Sequence, residues 1–171
     1  QHAGYGYKRL ARMLGVKPGQ TRWWHHAASK PRATKTIEFL AERSLLPLKS
    51  DDPRLPAIAR IAGATFGDGG IAGNLNNIFL SSSEETSLVD FKQDFVEVFG
   101  ESIIPNFSTI KSGVNGTGRC IRNSKRAVVR FFAALGAPVG RKDEELRVPD
   151  WIYLREDTQK EFFGAFMGNE L

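Results

Sequence analysis

The clearest candidate for chemistry in this sequence is a carboxylate at the end of an apolar run. The stretch IAGATFGDGG, residues 61–70, carries small and apolar residues up to Asp68, which stands between glycines. Gly63 and Gly67 leave room for a close neighbour, because glycine has no side chain. The stretch therefore predicts a helix that packs tightly against another helix and presents Asp68 at its end. A carboxylate is a hard oxygen ligand of the type that suits Mg²⁺.

A second set of candidates lies near the start of the chain. The segment YKRLARMLGVKPGQTRWW, residues 7–24, resembles a helix-turn-helix, with two short helices joined by a turn that contains glycine. By that resemblance, Gln20, Thr21 and Arg22 would face base edges, and Lys17 would meet phosphate. The alternative is an ordinary helical hairpin with no ligand.

Charge is segregated along the 171 residues, whose net charge is +5. Residues 1–50 hold 10 Lys/Arg and 2 acids, and residues 102–142 hold 8 Lys/Arg and no acid. The segments 51–101 and 143–171 are acidic, with 3 Lys/Arg against 9 acids and 3 against 8. Two basic blocks predict two surfaces for a polyanion, and the alternative is two solvated basic faces.

Composition limits the class of protein. With 41% hydrophobic residues the chain can bury a core, and its single cysteine, Cys120, excludes an intrachain disulfide and a zinc site made of several cysteines. No apolar run reaches the roughly 18 residues of a membrane span, and no signal peptide is recognisable. We therefore predict an intracellular, cytoplasmic protein.

The hydrophobic periodicity predicts an α+β fold in two parts. Three prolines fall within residues 47–56 and place a domain boundary there, between a helix-turn-helix domain with a linker helix (1–50) and a second domain (51–171). In the second domain the predicted order is helix, strand pair, helix, strand pair, helix, helix. The predicted ranges are 56–69, 71–83, 85–100, 102–113 with 116–124, 124–136 and 155–170.

This element order, headed by IAGATFGDG, resembles the LAGLIDADG homing endonuclease family. Ile61-Ala62-Gly63 match the leading Leu-Ala-Gly of the motif, and Asp68-Gly69 match its closing acid and glycine. The end of the chain resembles a second copy of the motif, with matches at Phe163, Ala165, Phe166 and Glu170. Gly168 and Leu171 depart from that second copy, where Asp and Gly are expected.

The resemblance implies a site-specific double-stranded DNA endonuclease that hydrolyses phosphodiester bonds with a divalent metal. It implies that Asp68 and Glu170 each bind Mg²⁺, or another divalent cation, beside a scissile phosphate. It places Lys142 where a basic residue steadies charge or orients water. The alternative for Asp68 is an acid at the C-terminal end of a helix in a glycine-rich turn, and the alternative for Glu170 is a plain surface acid.

The same resemblance makes the strand pairs a concave surface over double-stranded DNA. The candidate base readers are the polar or basic residues of these strands and turns: Asn74, Asn76, Ser82, Lys111, Arg119 and Arg122. Side chains alternate between the faces of a strand, so Arg119 and Arg122 are expected on opposite faces.

Two other functions remain open at this point: a DNA-binding transcription regulator that keeps the fold without cutting, and an RNA maturase. The sequence resembles a fragment, because strands expected after the second motif copy are missing. A second half-domain would then come from C-terminal sequence beyond residue 171 or from a homodimer partner.

Overall fold

The computed structural model describes residues 5–26, 30–112, 118–142 and 145–168. Within these ranges the chain forms seven α-helices and a four-stranded sheet, an α+β architecture. The helices are α1 (Tyr7–Leu14), α2 (Pro18–His26), α3 (Arg32–Ala41), α4 (Leu55–Phe66), α5 (Glu85–Phe99), α6 (Arg126–Ala134) and α7 (Glu156–Met167). None of the helices in the described part is long and apolar enough to cross a membrane.

The sheet is antiparallel throughout, with spatial strand order β1-β2-β4-β3. Its strands are β1 (Gly69–Ile71), β2 (Ile78–Ser82), β3 (Phe107–Ser112) and β4 (Gly118–Asn123). Two short 3₁₀ helices, Glu101–Asn106 and Asp150–Leu154, precede β3 and α7. The LAGLIDADG-like form of this α+β fold remains a prediction.

One face of the sheet packs on the helices and forms the core. Ile78 and Ile121 are buried on that face, and the ring of Phe107 lies 5.3 Å from that of Phe95 on α5, centroid to centroid. Residues of α4, α5 and α6 complete this core, including Ile58 and Phe132, which are both fully buried. The opposite face of the sheet, which carries Phe79 and Arg122, contributes no residue to this core among the described residues.

Helix α5 follows directly from its hydrophobic spacing. The residues predicted to line its apolar side, Leu88, Phe91, Phe95, Val98 and Phe99, are all buried. Each buried Leu, Val or Phe side chain contributes about 1.5–3 kcal/mol relative to exposure. Gly100 follows the helix at φ 79°, where glycine carries no steric penalty. The predicted helix 85–100 is thus confirmed to within one residue.

Helices α4 and α7 pack against each other through glycine, as the sequence predicts. A Cβ on Gly63 would overlap the carbonyl oxygen of Phe162, and a Cβ on Gly67 would lie 2.9 Å from that of Phe166. Such close approach brings the two backbones into direct contact. A second small core, which includes Ala59, Phe66, Ile152 and Phe162, surrounds this contact.

Helix α3 packs differently from the prediction of a linker to the first domain. Leu40 and Leu45 are buried in the same core as α5 and α6. The Arg43 guanidinium donates from Nε to the carbonyl oxygen of Phe99 at 3.0 Å and from Nη2 to Ser102 Oγ at 3.0 Å. The division at residue 50 remains a prediction, but the segment before it contributes to the core of the segment that follows.

Two predicted boundaries differ from the structure. Helix α4 ends at Phe66, so Asp68 lies between α4 and β1 and not on the helix predicted over 56–69. The range 102–113 begins with a 3₁₀ helix, which contains Pro105, and becomes a strand only at Phe107. Proline explains that shift, because it has no N–H to donate to a strand neighbour.

Candidate functional site

The junction of α4 and β1 presents Asp68 to solvent. Gly67 ends the helix by donating its N–H to the Gly63 carbonyl oxygen at 3.1 Å. Asp68 is exposed, and its carbonyl oxygen accepts the Ser81 N–H at 3.3 Å. This bond ties the junction to β2 through the backbone of Asp68. Asp68 lines one end of a cleft of about 640 Å³ between the α4–α7 pair and α5.

Lys142 reaches the same junction from a distant part of the chain. The segment before it runs beside β1, where Ile71 forms a parallel bridge with Val139 and accepts the Gly140 N–H at 2.8 Å. The Lys142 ammonium donates to the Phe66 carbonyl oxygen at 3.2 Å and also to that of Gly67. A cation is favourable at this place, because the last carbonyl groups of a helix carry partial negative charge.

Two effects act on the Lys142 ammonium. Burial lowers its pKa below the ordinary value for lysine, and the nearby Asp68 carboxylate opposes that shift. The sequence predicts that Lys142 lies near Asp68, and the structure places the two residues close together. Whether they act in catalysis remains a prediction.

The predicted metal pair cannot be assembled from the described residues. Glu170, the second predicted Mg²⁺ ligand and catalytic acid, lies outside them. Among the described residues no group of three or more His, Cys, Asp or Glu side chains could hold a metal ion. Mg²⁺ binding by Asp68 and Glu170 remains a prediction.

The face of the sheet opposite the core carries a mixed polar and apolar surface, which we call the open face. On this face Phe79 of β2 pairs with Arg122 of β4, and Arg122 pairs with Ser108 of β3. Arg122 Nε donates to Ser108 Oγ at 2.9 Å. Gly70, the partner of Phe79 on β1, has Lys142 next to it: a Cβ there would lie 3.8 Å from Lys142 Cε. The open face thus joins an arginine, an aromatic ring and the stem of Lys142.

Lys111 and Arg119 belong to the other side of the sheet. They pair with each other, and Arg119 also pairs with Ser82. Arg119 forms an exposed salt bridge of 3.2 Å to Glu85 at the start of α5. The prediction that Arg119 and Arg122 occupy opposite faces is confirmed, so these basic residues do not form a single surface.

Three of the predicted readers serve local turns. Asn74 Oδ1 accepts the Asn76 N–H at 3.1 Å within the β1–β2 turn, and Ser82 Oγ accepts the Glu84 N–H at 3.0 Å before α5. Such bonds from a side chain to the backbone two residues on are typical of turns. Asn74 is exposed and Asn76 is half-buried.

In the helical hairpin α1–α2 the structure separates the predicted contacts. Lys17, Gln20 and Arg22 are exposed, but Thr21 is buried and its hydroxyl donates to the Lys17 carbonyl oxygen at 3.4 Å. Thr21 is therefore not presented to a base edge in this structure, and base contacts by the hairpin remain a prediction. Trp23 is 66% exposed, so the hairpin presents an aromatic ring beside basic residues.

Two groups of residues were missed at the sequence level. Phe79 lies within a predicted strand pair, and no local signal places it beside Arg122, because β2 and β4 belong to different predicted pairs and meet only in the folded sheet. Arg60 is not among the predicted site residues, and it forms salt bridges with Asp94 at 2.7 Å and Glu161 at 3.1 Å. Its partners lie far away in sequence, so no local signal marks them.

Comparison with known proteins gives matches in proteins of several names, and no family model matches the chain. The chain is 37% identical over 134 residues to a tRNA-splicing ligase RtcB of Pyrococcus abyssi and 29% identical over 150 residues to the DNA-directed RNA polymerase subunit Rpo1N of Methanocaldococcus jannaschii. It is 32% identical over 132 residues to an archaeal Lon protease of Pyrococcus abyssi. These matches cover 73%, 80% and 75% of this chain but only 14%, 11% and 12% of the relatives.

These names contradict the predicted family and function. The relatives are named as tRNA-splicing ligases, an RNA polymerase subunit and a protease, and not as LAGLIDADG homing endonucleases. The predicted site-specific endonuclease and its double-stranded DNA partner are wrong by the same finding, because the ligase and polymerase names refer to RNA. The prediction of an enzyme agrees with these names only in part. A ligase is an enzyme, but it is not an endonuclease.

Proposed function

We propose that this chain is an RNA-binding domain carried by larger enzymes. The first support is the pattern of its matches. Ligation, RNA polymerisation and proteolysis have no reaction in common, yet the chain matches about a seventh or less of proteins named for each. A role separable from the reaction of the larger protein explains this pattern, and binding is such a role.

The observation that carries the proposal is the open face of the sheet. Single-stranded RNA is commonly bound on an exposed sheet, where aromatic rings stack on bases and cations contact phosphate. Phe79 is half-buried beside Gly70, and Arg122 stands next to it on β4. The aliphatic stem of Lys142 borders this face beside Gly70, while its ammonium is held at the end of α4.

RNA is proposed as the ligand because two independent observations agree on it. The relatives named for tRNA splicing and for an RNA polymerase subunit supply the first. The second is an aromatic ring beside a guanidinium on an open sheet, a combination suited to unstacked bases. The exposed cations of α1 and α2 offer a further basic surface to the phosphate backbone.

The test is fluorescence anisotropy with a labelled single-stranded RNA, a tRNA-like hairpin and a DNA duplex of equal length. We expect an RNA to bind at least about tenfold more tightly than the duplex, with affinity falling steeply between about 50 and 200 mM salt. Replacing Phe79 by Leu removes the stacking surface and should weaken RNA binding by about tenfold. Arg122→Gln should reduce the slope of the logarithm of RNA affinity against the logarithm of salt concentration by about one, because one phosphate contact is lost.

Arg126→Gln is the matched control for charge. Arg126 is exposed at the start of α6, in the helical layer on the other side of the sheet, so its replacement should leave RNA binding within about twofold. Equal or tighter binding of the DNA duplex would overturn the choice of RNA. Unchanged binding by both the Phe79 and the Arg122 variants would move the ligand off the open face.

A further inference from the structure

A second surface of the molecule, independent of the open face, is an apolar groove between α3 and α6. The two helices run antiparallel: the Lys125 ammonium lies 4.9 Å from the centre of the Phe39 ring, and Arg130, further along α6, donates to Thr36 Oγ1 at 3.2 Å. Two helices packed side by side leave a groove along their contact, into which the ridge of a third helix can fit. The groove has a volume of about 450 Å³.

The walls of this groove are almost wholly hydrophobic. Leu40 and Phe131 form a buried floor, while Ile37 and Leu46 on the rim are 57% and 42% exposed. Such exposure of large aliphatic side chains in one contiguous patch is typical of a surface that binds another polypeptide. Nucleic acid is a poor fit, because the floor offers phosphate and base edges no hydrogen-bond donor.

One charge decides the chemistry of the occupant. Among the described residues that line the groove, Arg130 is the only charged one and none is an acid. Within the described ranges its side chain has the Thr36 hydroxyl as a hydrogen-bond partner and no carboxylate. A guanidinium beside an apolar floor binds a carboxylate strongly, since the hydrogen bonds are charge-assisted and partly shielded from water.

We propose that this groove binds an acidic amphipathic helix of a partner protein. The apolar stripe of that helix would lie on Leu40 and Phe131, with residues spaced i, i+3, i+4 and i+7 as anchors. A glutamate or aspartate beside the stripe would pair with Arg130. Ile37 and Leu46 would close over the edges of the helix.

The test uses three synthetic helical peptides of equal length with the same leucine stripe, flanked by Glu, Gln or Lys. Anisotropy of each labelled peptide is measured against the full chain. We expect the Glu peptide to bind, the Gln peptide to bind about tenfold more weakly, and the Lys peptide to be weakest. Arg130→Gln should remove the difference between the Glu and Gln peptides, and Ile37→Ser should weaken both.

Two control variants make the result specific. Arg126→Gln removes the same charge one turn earlier on α6 but does not line the groove, and Val89→Ser removes a 58% exposed side chain from α5. Both should bind the peptides as the parent does. Equal affinity for the Glu and Gln peptides, or no binding of any peptide up to about 1 mM, would overturn the proposal. Displacement of the Glu peptide by RNA would also overturn it, because the groove would then belong to the nucleic-acid surface.

Discussion

At the scale of single residues, Gly63 sets the distance between α4 and α7. Replacing it by alanine puts a Cβ onto the Phe162 carbonyl oxygen and within 3.2 Å of the Ala165 Cβ, both of which belong to rigid helix. The helices must separate, and we expect the free energy of unfolding to fall by about 2–3 kcal/mol. Urea denaturation followed by circular dichroism measures this change.

Gly164 gives the matched control for that substitution. It lies inside α7, and a Cβ there would meet nothing within 4 Å in the structure. Gly164→Ala should therefore stabilise the chain by about 0.5–1 kcal/mol, because alanine restricts the unfolded state and favours helix. If both substitutions had the same effect on unfolding, close backbone packing at Gly63 would not be the cause.

The lowered pKa of Lys142 predicts how the stability of the chain changes with pH. Burial holds the pKa of Lys142 in the folded chain below 10.5, the ordinary value that applies to the unfolded chain. At a pH between the folded and the unfolded pKa, the unfolded chain binds a proton that the folded chain has released. Stability should then gain from this residue as pH rises through the folded pKa toward 10.5. We expect Lys142→Gln to lose that gain, measured as the free energy of unfolding at a series of alkaline pH values.

The exposed Lys111 supplies the comparison for Lys142. Lys111→Gln removes the same charge from an exposed position on β3, away from the end of α4, and should leave the free energy of unfolding at neutral pH within about 0.5 kcal/mol of the parent chain. A parent-like alkaline profile in Lys142→Gln would show that the amine is not desolvated at the α4 terminus. Loss of the capping bonds should also lower the stability of that variant at neutral pH, by about 1 kcal/mol.

At the scale of elements, Arg60 joins three helices. From α4 it pairs with Asp94 and Glu97 on α5 and with Glu161 on α7. Hydrogen bonding to Asp94 raises the pKa of Arg60 further above its ordinary value. Burial raises the pKa of Asp94, and the bonds from Arg60 offset part of that shift. The arginine thus compensates a carboxylate that would otherwise be costly to bury.

Removal of Arg60 should therefore cost more than the loss of its exposed ion pairs. We expect Arg60→Leu to lower the free energy of unfolding by about 3 kcal/mol at neutral pH, since Asp94 stays buried without a cation. The double variant Arg60→Leu/Asp94→Leu should recover much of that loss. Urea titrations of the three proteins measure both effects, and an equal loss in the single and double variants would contradict this account.

At the scale of the whole molecule, the sequence correctly predicted those features that depend on residues close together in the chain. The spacing of apolar residues in α5 and the glycines of α4 are visible in short windows, and both elements pack as predicted. Thr21 was predicted to face DNA but is buried, because the sequence of a helix does not show which of its sides packs against the rest of the fold. Residue parity separated Arg119 from Arg122 correctly, since alternation is a property of the strand itself.

The rest depended on contacts between distant residues. Lys142 meets Asp68 only because its loop pairs with β1, and the apolar side of α3 finds its partner on α6 more than eighty residues later. The resemblance of the motif led to a family that the names of the relatives contradict, because a short motif constrains packing more strongly than it constrains function.

The packing of α3 yields a final prediction about how much of the chain folds as one unit. Leu40 and Leu45 are buried with the core of the sheet, and Arg54 holds this segment by donating to the Arg43 carbonyl oxygen at 2.7 Å and the Ser44 carbonyl oxygen at 3.1 Å. A chain that begins at residue 30 keeps all of these contacts. A chain that begins at residue 51 loses both leucines, whose burial contributes about 1.5–3 kcal/mol each.

We therefore expect removal of residues 1–29 to leave the main thermal unfolding transition within a few degrees of the full chain. Removal of residues 1–50 should lower the transition by about 10 °C or more, because two leucines and the Arg54 bonds are lost together. Differential scanning calorimetry of the three chains measures the transitions. Equal midpoints for the two shortened chains would place the boundary at residue 50, as the prolines predict, and α3 would then be an accessory to a core that is stable without it.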